Sequence, residues 1–292
     1  MKKLLTFLLI ILISSQLFSQ EEKIGIIGVI DWESMQIKTT ATLDLISAGL
    51  RLPAGRNRAE SIIEEGYKRL VRSVILELQV DSSSAIADLI EKNEFSLPEV
   101  DAISLQTQAV PPFLSPDMRN LSASYSIPIT AVSNTLQTHS RPYPVSRTLN
   151  PVSSASYTGI IIIAAERLPA HGMRSSFLPV PCLFPKIWDS EMNLIYDRSM
   201  VQPRTPAVRY SSPQNIFFNT PSGLSPELQE IVGERPFRIF AQGVFGTKPT
   251  DLIINRNDAL QIISNEQNRS LLTQGKVVII LDQSVLTQQF SY

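Results

Sequence analysis

Apolar positions recur at helical spacing in one long stretch of the chain. Ala59, Ile62, Ile63, Leu70, Val71, Val74, Ile75 and Leu78 follow one another mainly at three- and four-residue steps, with Tyr67 in the intervening turn. Glu60, Glu64, Glu65, Lys68, Arg69 and Arg72 take the other side. This period predicts an amphipathic helix over residues 56–78. Its Glu64–Lys68 and Glu65–Arg69 pairs run in the favourable i,i+4 order, each worth about 0.2–0.5 kcal/mol, so the charged side reads as a solvated face. Ahead of the helix, residues 23–42 read as two strands, an apolar run and then an alternating stretch with Met35, Ile37 and Thr39, turning around 31–34. Behind it, Asp81-Ser82-Ser83-Ser84 offers side-chain oxygens to cap a short helix through Ile86, Leu89 and Ile90. Ser96-Leu97-Pro98-Glu99 reads as a capping box with Pro in the first turn of a third helix.

Beyond residue 98 prolines become frequent, which predicts short extended segments. The chain is expected to turn at 111–116. Tyr125, Ile127 and Ile129 then alternate as a strand that Pro128 interrupts, a feature suited to a sheet edge. Residues 138–156, with Pro142, Pro144 and Pro151 among Ser, Thr and Asn, read as a linker. A continuous apolar run over 158–165 predicts a strand buried on both faces. Residues 186–188 and 194–196 predict a hairpin, 202–226 a loop, 237–244 a strand, 258–265 a helix and 276–281 a closing buried strand. The fold class is therefore α+β: N-terminal strands with a long amphipathic helix, followed by a second, strand-rich αβ region. The expected division is a signal peptide at 1–19, an N-terminal αβ domain at 20–137, a linker at 138–156 and a C-terminal domain at 157–292.

The N-terminus changes the setting. Lys2 and Lys3 precede an apolar run over 4–13, followed by Ser14, Ser15, Gln16 and Ser19. That run is short of the roughly 20 residues a membrane span needs, so it predicts a signal peptide cleaved near Ser19 and no stable membrane insertion afterwards. No Cys follows the run, so no lipid anchor is expected. Cys182 is the single cysteine, which excludes an intramolecular disulfide. Without Lys2 and Lys3 the chain holds 24 basic and 27 acidic residues, a net charge of −3 with His neutral. That balance lacks the clustered basic face that nucleic acid requires.

Candidate chemistry is sparse. His139 and His171 lie far apart with no paired carboxylates nearby, which argues against a metal site, and no cofactor is implied. Cys182, between Pro181 and Leu183, reads as a packing residue rather than a nucleophile. Gly243 and Gly246 leave a strand toward Pro249 and read as a turn, not a phosphate cradle. Asp189, Glu191 and Asp197 are the candidate carboxylates for a glycan-acting hydrolase. Trp32, Trp188 and Tyr196 are the candidate stacking surfaces for a small ligand or glycan. An interaction face is best sought in the 202–226 loop at Tyr210, Phe217 and Phe218.

Several blocks carry a family likeness in order along the chain. They are Ala48-Gly49-Leu50-Arg51-Leu52-Pro53-Ala54-Gly55-Arg56 leading into the long helix, Val80-Asp81-Ser82-Ser83-Ser84, Tyr157-Thr158-Gly159-Ile160-Ile161-Ile162, Pro185-Lys186-Ile187-Trp188-Asp189, Leu194-Ile195-Tyr196, Gly243-Val244-Phe245-Gly246, Asp258-Ala259 and Gly275-Lys276-Val277-Val278-Ile279-Ile280-Leu281. Together they resemble uncharacterised exported spirochaete proteins related to the small-lipoprotein and FlgT-like group. Two positions depart from that pattern: Ile163 stands where relatives often place an Asp, and Met192 where a hairpin Gly is usual, which hands the left-handed position to Asn193. The resemblance implies an exported αβ protein with a periplasmic, envelope-associated role, envelope or flagellar proteins as partners, and no shared catalytic residues. The expected function is a non-enzymatic binding or scaffolding role, with the hydrolase and the ligand-binding module as alternatives.

Overall fold

A computed structural model describes residues 24–291, so the expected signal peptide and its cleavage near Ser19 lie outside the described residues. Among the described residues the chain forms 14 strands and eight helices, and the α+β expectation holds. Two sheets organise it. The first is a five-stranded antiparallel sheet in the order β14-β1-β2-β4-β3, built from β1 (Ile24–Asp31), β2 (Gln36–Asp44), β3 (Gln108–Leu114), β4 (Asn120–Pro128) and β14 (Thr287–Ser291). The strand β14 comes from the far end of the chain and pairs with β1 from Ile27↔Ser291 to Asp31↔Thr287. Gly28 faces Phe290 in that register, and a Cβ on Gly28 would sit 2.1 Å from the Phe290 ring, so the ring lies where any side chain at 28 would be.

Helix α1 (Arg56–Glu77) lies on this sheet and buries Ala59, Ile62, Ile63, Gly66, Tyr67, Leu70, Val71, Val74 and Ile75, close to the face that the sequence period predicts. Tyr67 stacks on Tyr125 of β4 at a ring-centroid distance of 3.9 Å. Lys68 pairs with Glu64 at 2.7 Å in solvent, as the charged face requires. Helices α2 (Ile86–Glu91), α3 (Leu97–Ser104) and α4 (Ile129–Leu136) complete this half.

The predicted caps are met in part. The Ser96–Glu99 capping box forms, with Glu99 Oε2 accepting from the Ser96 backbone N–H at 2.8 Å. Asp81, however, caps no helix. Its Oδ1 accepts from the Ser83 and Ser84 N–H groups at 2.9 and 3.0 Å and closes a turn, while Asp88 reaches back to the Ala85 N–H at 2.7 Å to begin α2.

Proline positions also correct the sequence reading. Of the turn expected at 111–116, residues 111–114 instead belong to the edge strand β3, whose register shifts between Val110 and Phe113, and the turn follows at 115–118, closed by the Met118 N–H to the Ser115 carbonyl at 2.9 Å. A proline removes a ladder N–H, and an edge strand with a bulge tolerates that loss. Pro128 does not mark an edge: β4 lies between β2 and β3, and Pro128 is simply its last residue.

The second sheet runs β10-β13-β5-β11-β12-β8-β9. Its strands are β5 (Ile160–Ala164), β8 (Ile187–Asp189), β9 (Leu194–Tyr196), β10 (Arg209–Ser211), β11 (Phe237–Phe245), β12 (Asp251–Ile254) and β13 (Val277–Leu281). Strands β10, β13, β5 and β11 are mutually parallel, which explains the uninterrupted apolar runs of β5 and β13. Two-residue strands β6 (Leu168–Pro169) and β7 (Ser176–Phe177) form a small ribbon. Of the helices in this half, α5 (Pro226–Val232) packs on β13, α6 (Arg256–Ser264) packs on α7 (Glu266–Thr273), and α8 (Gln283–Leu286) adjoins β14. The 202–226 stretch is thus not all loop, because β10 within it joins β13. At the β8–β9 hairpin Met192 itself takes the left-handed conformation (φ 62°). Asn193 spends its side chain on Asp189, which corrects the expected turn.

Residues 138–156 hold no helix or strand, yet they are tied down. The His139 ring bonds the Val201 carbonyl at 2.8 Å, and the Val152 N–H donates to Ser264 Oγ at 3.0 Å. Across the two sheets one hydrophobic core is continuous. It is bridged by Leu183 N–H to Gln79 C=O and Phe184 N–H to Val80 C=O. Trp32 lies edge-on to Tyr210 at 5.8 Å.

Candidate functional site

The candidate carboxylates are held by structural partners. Asp189 is wholly buried and accepts from the Glu191 N–H, the Asn193 N–H and the Asn193 side-chain amide at 2.8–3.1 Å, and it pairs with Arg256. Burial works to raise its pKa, but the Asn193 amide and N–H, Arg256 and the Glu191 N–H outweigh it and hold the carboxyl below its ordinary value. Glu191 reaches the same Arg256 at 3.4 Å. Asp197 stands apart from these two, capping the 198–200 turn through the Ser199 N–H. Two of the three therefore share an arginine, and the third serves its own turn.

The flat side chains are not presented together either. Trp32 and Tyr196 are buried, and Tyr196 donates to the Ala207 carbonyl. Trp188 is half-buried and donates its Nε1–H to Asp251 at 3.3 Å. Asp251 is itself buried, and burial raises its pKa above the ordinary value against the pull of the Lys186 N–H, Trp188 and Ser82. Cys182 is buried, and desolvation pushes its thiol up to about 12, so it is not a thiolate near neutral pH. Among the described residues no three His, Cys, Asp or Glu side chains come together in a metal-binding arrangement.

The expected interaction face splits. Tyr210 is only 3% exposed, whereas Phe218 is 45% and Phe217 79% exposed. The Tyr210 hydroxyl donates to the Cys182 carbonyl at 2.8 Å and accepts from the Cys182 N–H at 3.1 Å, so it is committed to the core. Its inclusion in an exposed face is corrected. The reason is that β10 is a strand of the second sheet, whose alternation turns Tyr210 inward.

Phe218 and the edge of Tyr210 nonetheless line the same groove, a solvent-open cavity of about 890 Å³. Lining residues from α5 include Glu227, Leu228, Glu230 and Ile231, and those from the sheet side include Arg209 and Lys276. Each part has a local cause. Ser225 caps α5 through the Leu228 N–H, with Pro226 opening the helix. Gly275 ends α7 at φ 65°, where a Cβ would lie 2.5 Å from the Pro206 carbonyl oxygen, so a glycine lets the turns before β10 and β13 meet. At the groove's margin Glu33, from the β1–β2 turn, accepts from Ser211 Oγ, the Ser212 N–H and the Asn215 amide at 3.0, 3.0 and 2.7 Å. Arg209, Lys276, Glu227 and Glu230 form no ion pairs with described residues. Sequence reasoning found Phe218 and Tyr210 among the lining residues but missed the charges, because they come from elements far apart in the chain.

No helix among the described residues is long and apolar enough to cross a membrane. Residues 23–135 match the family model for the N-terminal domain of Treponema pallidum Tp0624, and residues 159–283 match the model for the second domain of the same protein. The chain is thus similar, in order, to two domains of a spirochaete protein. The stretch between the matches contains the Pro- and Ser-rich segment. No curated protein matches the sequence. Neither domain match carries a link to FlgT-like proteins or small lipoproteins.

Proposed function

We propose that this chain is a non-enzymatic binding or scaffolding protein of the cell envelope, and that the groove between α5 and the β10–β13 side of the second sheet receives a segment of a partner protein. The observation that carries this reading is the groove itself. It offers Glu227 and Glu230 together with Arg209 and Lys276, unpaired with one another, and Phe218 on its lining. Unpaired charges of both signs around an apolar strip favour a polypeptide carrying complementary charges, since complementarity selects a partner and fixes its register. Phe217 and Phe218 supply exposed aromatic area of the kind that anchors protein interfaces.

Export through a cleaved leader, a periplasmic location and partners among envelope or flagellar proteins belong to the same proposal. The leader pattern of residues 2–19 and the likeness to two domains of a Treponema protein support it. The FlgT-like and small-lipoprotein kinship rests on the sequence blocks alone. A photo-cross-linking residue at position 217 or 218, activated in native envelopes, is expected to capture a discrete protein, and Arg209→Glu with Lys276→Glu is expected to abolish that product. Capture of nothing above background, or a product indifferent to the charge reversals, would sink the reading.

A further inference from the structure

The sheet edges of this molecule are not alike. In the first sheet β3 is closed to further pairing by Pro111, Pro112 and the register shift between Val110 and Phe113. In the second sheet the edge strands β9 and β10 have three residues each, and Glu33 already bonds Ser211 at the end of β10. Strand β14 differs on each count. It has five residues, Thr287-Gln288-Gln289-Phe290-Ser291, with no charge, no proline and an unbroken register to β1. Among the described residues no strand lies on its other side. Soluble proteins usually blunt an exposed edge with charge, proline or a bulge, because its free N–H and C=O groups are a template for another strand.

The direction of those groups follows from one bond. The Trp32 N–H donates to the Leu286 carbonyl at 3.0 Å, one step before the Asp31↔Thr287 pair. Antiparallel ladders alternate hydrogen-bonded and non-bonded pairs, so Gln288 and Phe290 bond inward to β1 while Thr287, Gln289 and Ser291 turn their backbone groups outward.

We propose that β14 pairs with β14 of a second copy of this chain, antiparallel and centred on Gln289, joining two five-stranded sheets into one. A two-fold axis at Gln289 sets Gln289 against its counterpart and Thr287 against Ser291 of the partner subunit. All three outward-facing residues of each copy are then matched in a single register, with no like charges brought together. The self-complementarity is the argument for a second copy over an unrelated strand: an isologous contact needs the same patch on both sides, and this five-residue strand satisfies it without a shift. The contact shares no residue with the lining of the α5 groove and does not depend on it.

Sedimentation velocity of the chain, purified as its host produces it, tests the pairing together with two variants. The wild type is expected to show a concentration-dependent dimer. Gln289→Lys, which sets two like charges on the axis while leaving the bonds to β1, is expected to sediment as a monomer with unchanged circular dichroism. Under mild oxidation Gln289→Cys is expected to give a covalent dimer removed by dithiothreitol, because bonded antiparallel pairs place Cα atoms about 5.5 Å apart, within disulfide range. The buried Cys182 is no competitor for that bond. A wild type that stays monomeric, a dimer that survives Gln289→Lys, a Gln289→Cys variant that does not cross-link, or recovery of β14 bound only to another protein's strand would each overturn the proposal.

Discussion

Glu33 and Asn215, 182 residues apart in the chain, are joined by a 2.7 Å hydrogen bond from the Asn215 amide to the Glu33 carboxylate. The same oxygen also takes Ser211 Oγ and the Ser212 N–H, so the turn of the first hairpin is fastened to the edge of the second sheet. Removing the carboxylate takes an acceptor from three donors at once, of which only the Asn215 amide keeps another, Ser211 Oγ at 2.9 Å. Glu33→Ala is expected to destabilise the protein by about 1–3 kcal/mol, read by guanidinium unfolding. Hydrogen exchange should rise in 209–217 and in 31–36 together. Glu33→Gln, which keeps an acceptor oxygen, should lose less. Faster exchange confined to one of the two segments would mean that the bond fastens nothing.

Leu70 is buried under α1, while Lys68 on the same helix stands in solvent beside Glu64. Leu70→Ala should therefore cost about 2–5 kcal/mol through lost burial and the cavity left behind. Lys68→Ala should cost under about 1 kcal/mol, as exposed ion pairs do. Chemical denaturation of both variants separates the faces, and equal losses would mean that the faces are exchanged.

Asp189 carries a pH signature. Its folded-state pKa lies below the ordinary value of 3.8, so the folded form favours the ionised carboxylate. The resulting stability is present above the unfolded pKa and is lost as pH falls through the folded one. Acid titration followed by near-ultraviolet circular dichroism should show wild type losing stability below about pH 4, with a shallower slope in Asp189→Asn. Asp251, raised by burial, works in the opposite sense: its contribution is present below the unfolded pKa and falls as pH rises through the folded one. A wild-type slope unchanged by Asp189→Asn would refute the assignment.

Cys182 is buried, with its thiol held up to about 12. Ellman's reagent at neutral pH should leave the native protein unlabelled and react with one thiol after guanidinium unfolding, since the thiolate is the reactive form. Prompt labelling of the folded protein would contradict the burial.

Of the candidate site, Phe217 and Phe218 were legible because exposed aromatics in a Pro- and Ser-rich segment stand out from a core pattern. Tyr210 was not, since three residues of strand leave too short a pattern to show alternation, and only pairing with β13 decides which way Tyr210 points. Arg209, Lys276, Glu227 and Glu230 are ordinary charges in the sequence and become a groove only when α5 is laid beside β10 and β13.

Local physics alone determined α1, the capping box at Ser96 and Glu99, the first hairpin and the buried strands β5 and β13, because each is encoded by a period or a cap within its own residues. Tertiary structure alone decided what depends on partners distant in sequence. Pro128 ends an interior strand and Pro111 marks an edge because neighbouring strands, not the prolines, define the rim of the sheet. Asp189 pairs with Arg256 because folding brings a charge from α6 to the hairpin, where a buried carboxylate needs compensation. Thr287–Ser291 carries no strong strand signal and becomes β14 because β1 presents an open row of hydrogen-bonding groups, with Gly28 leaving room for the Phe290 ring.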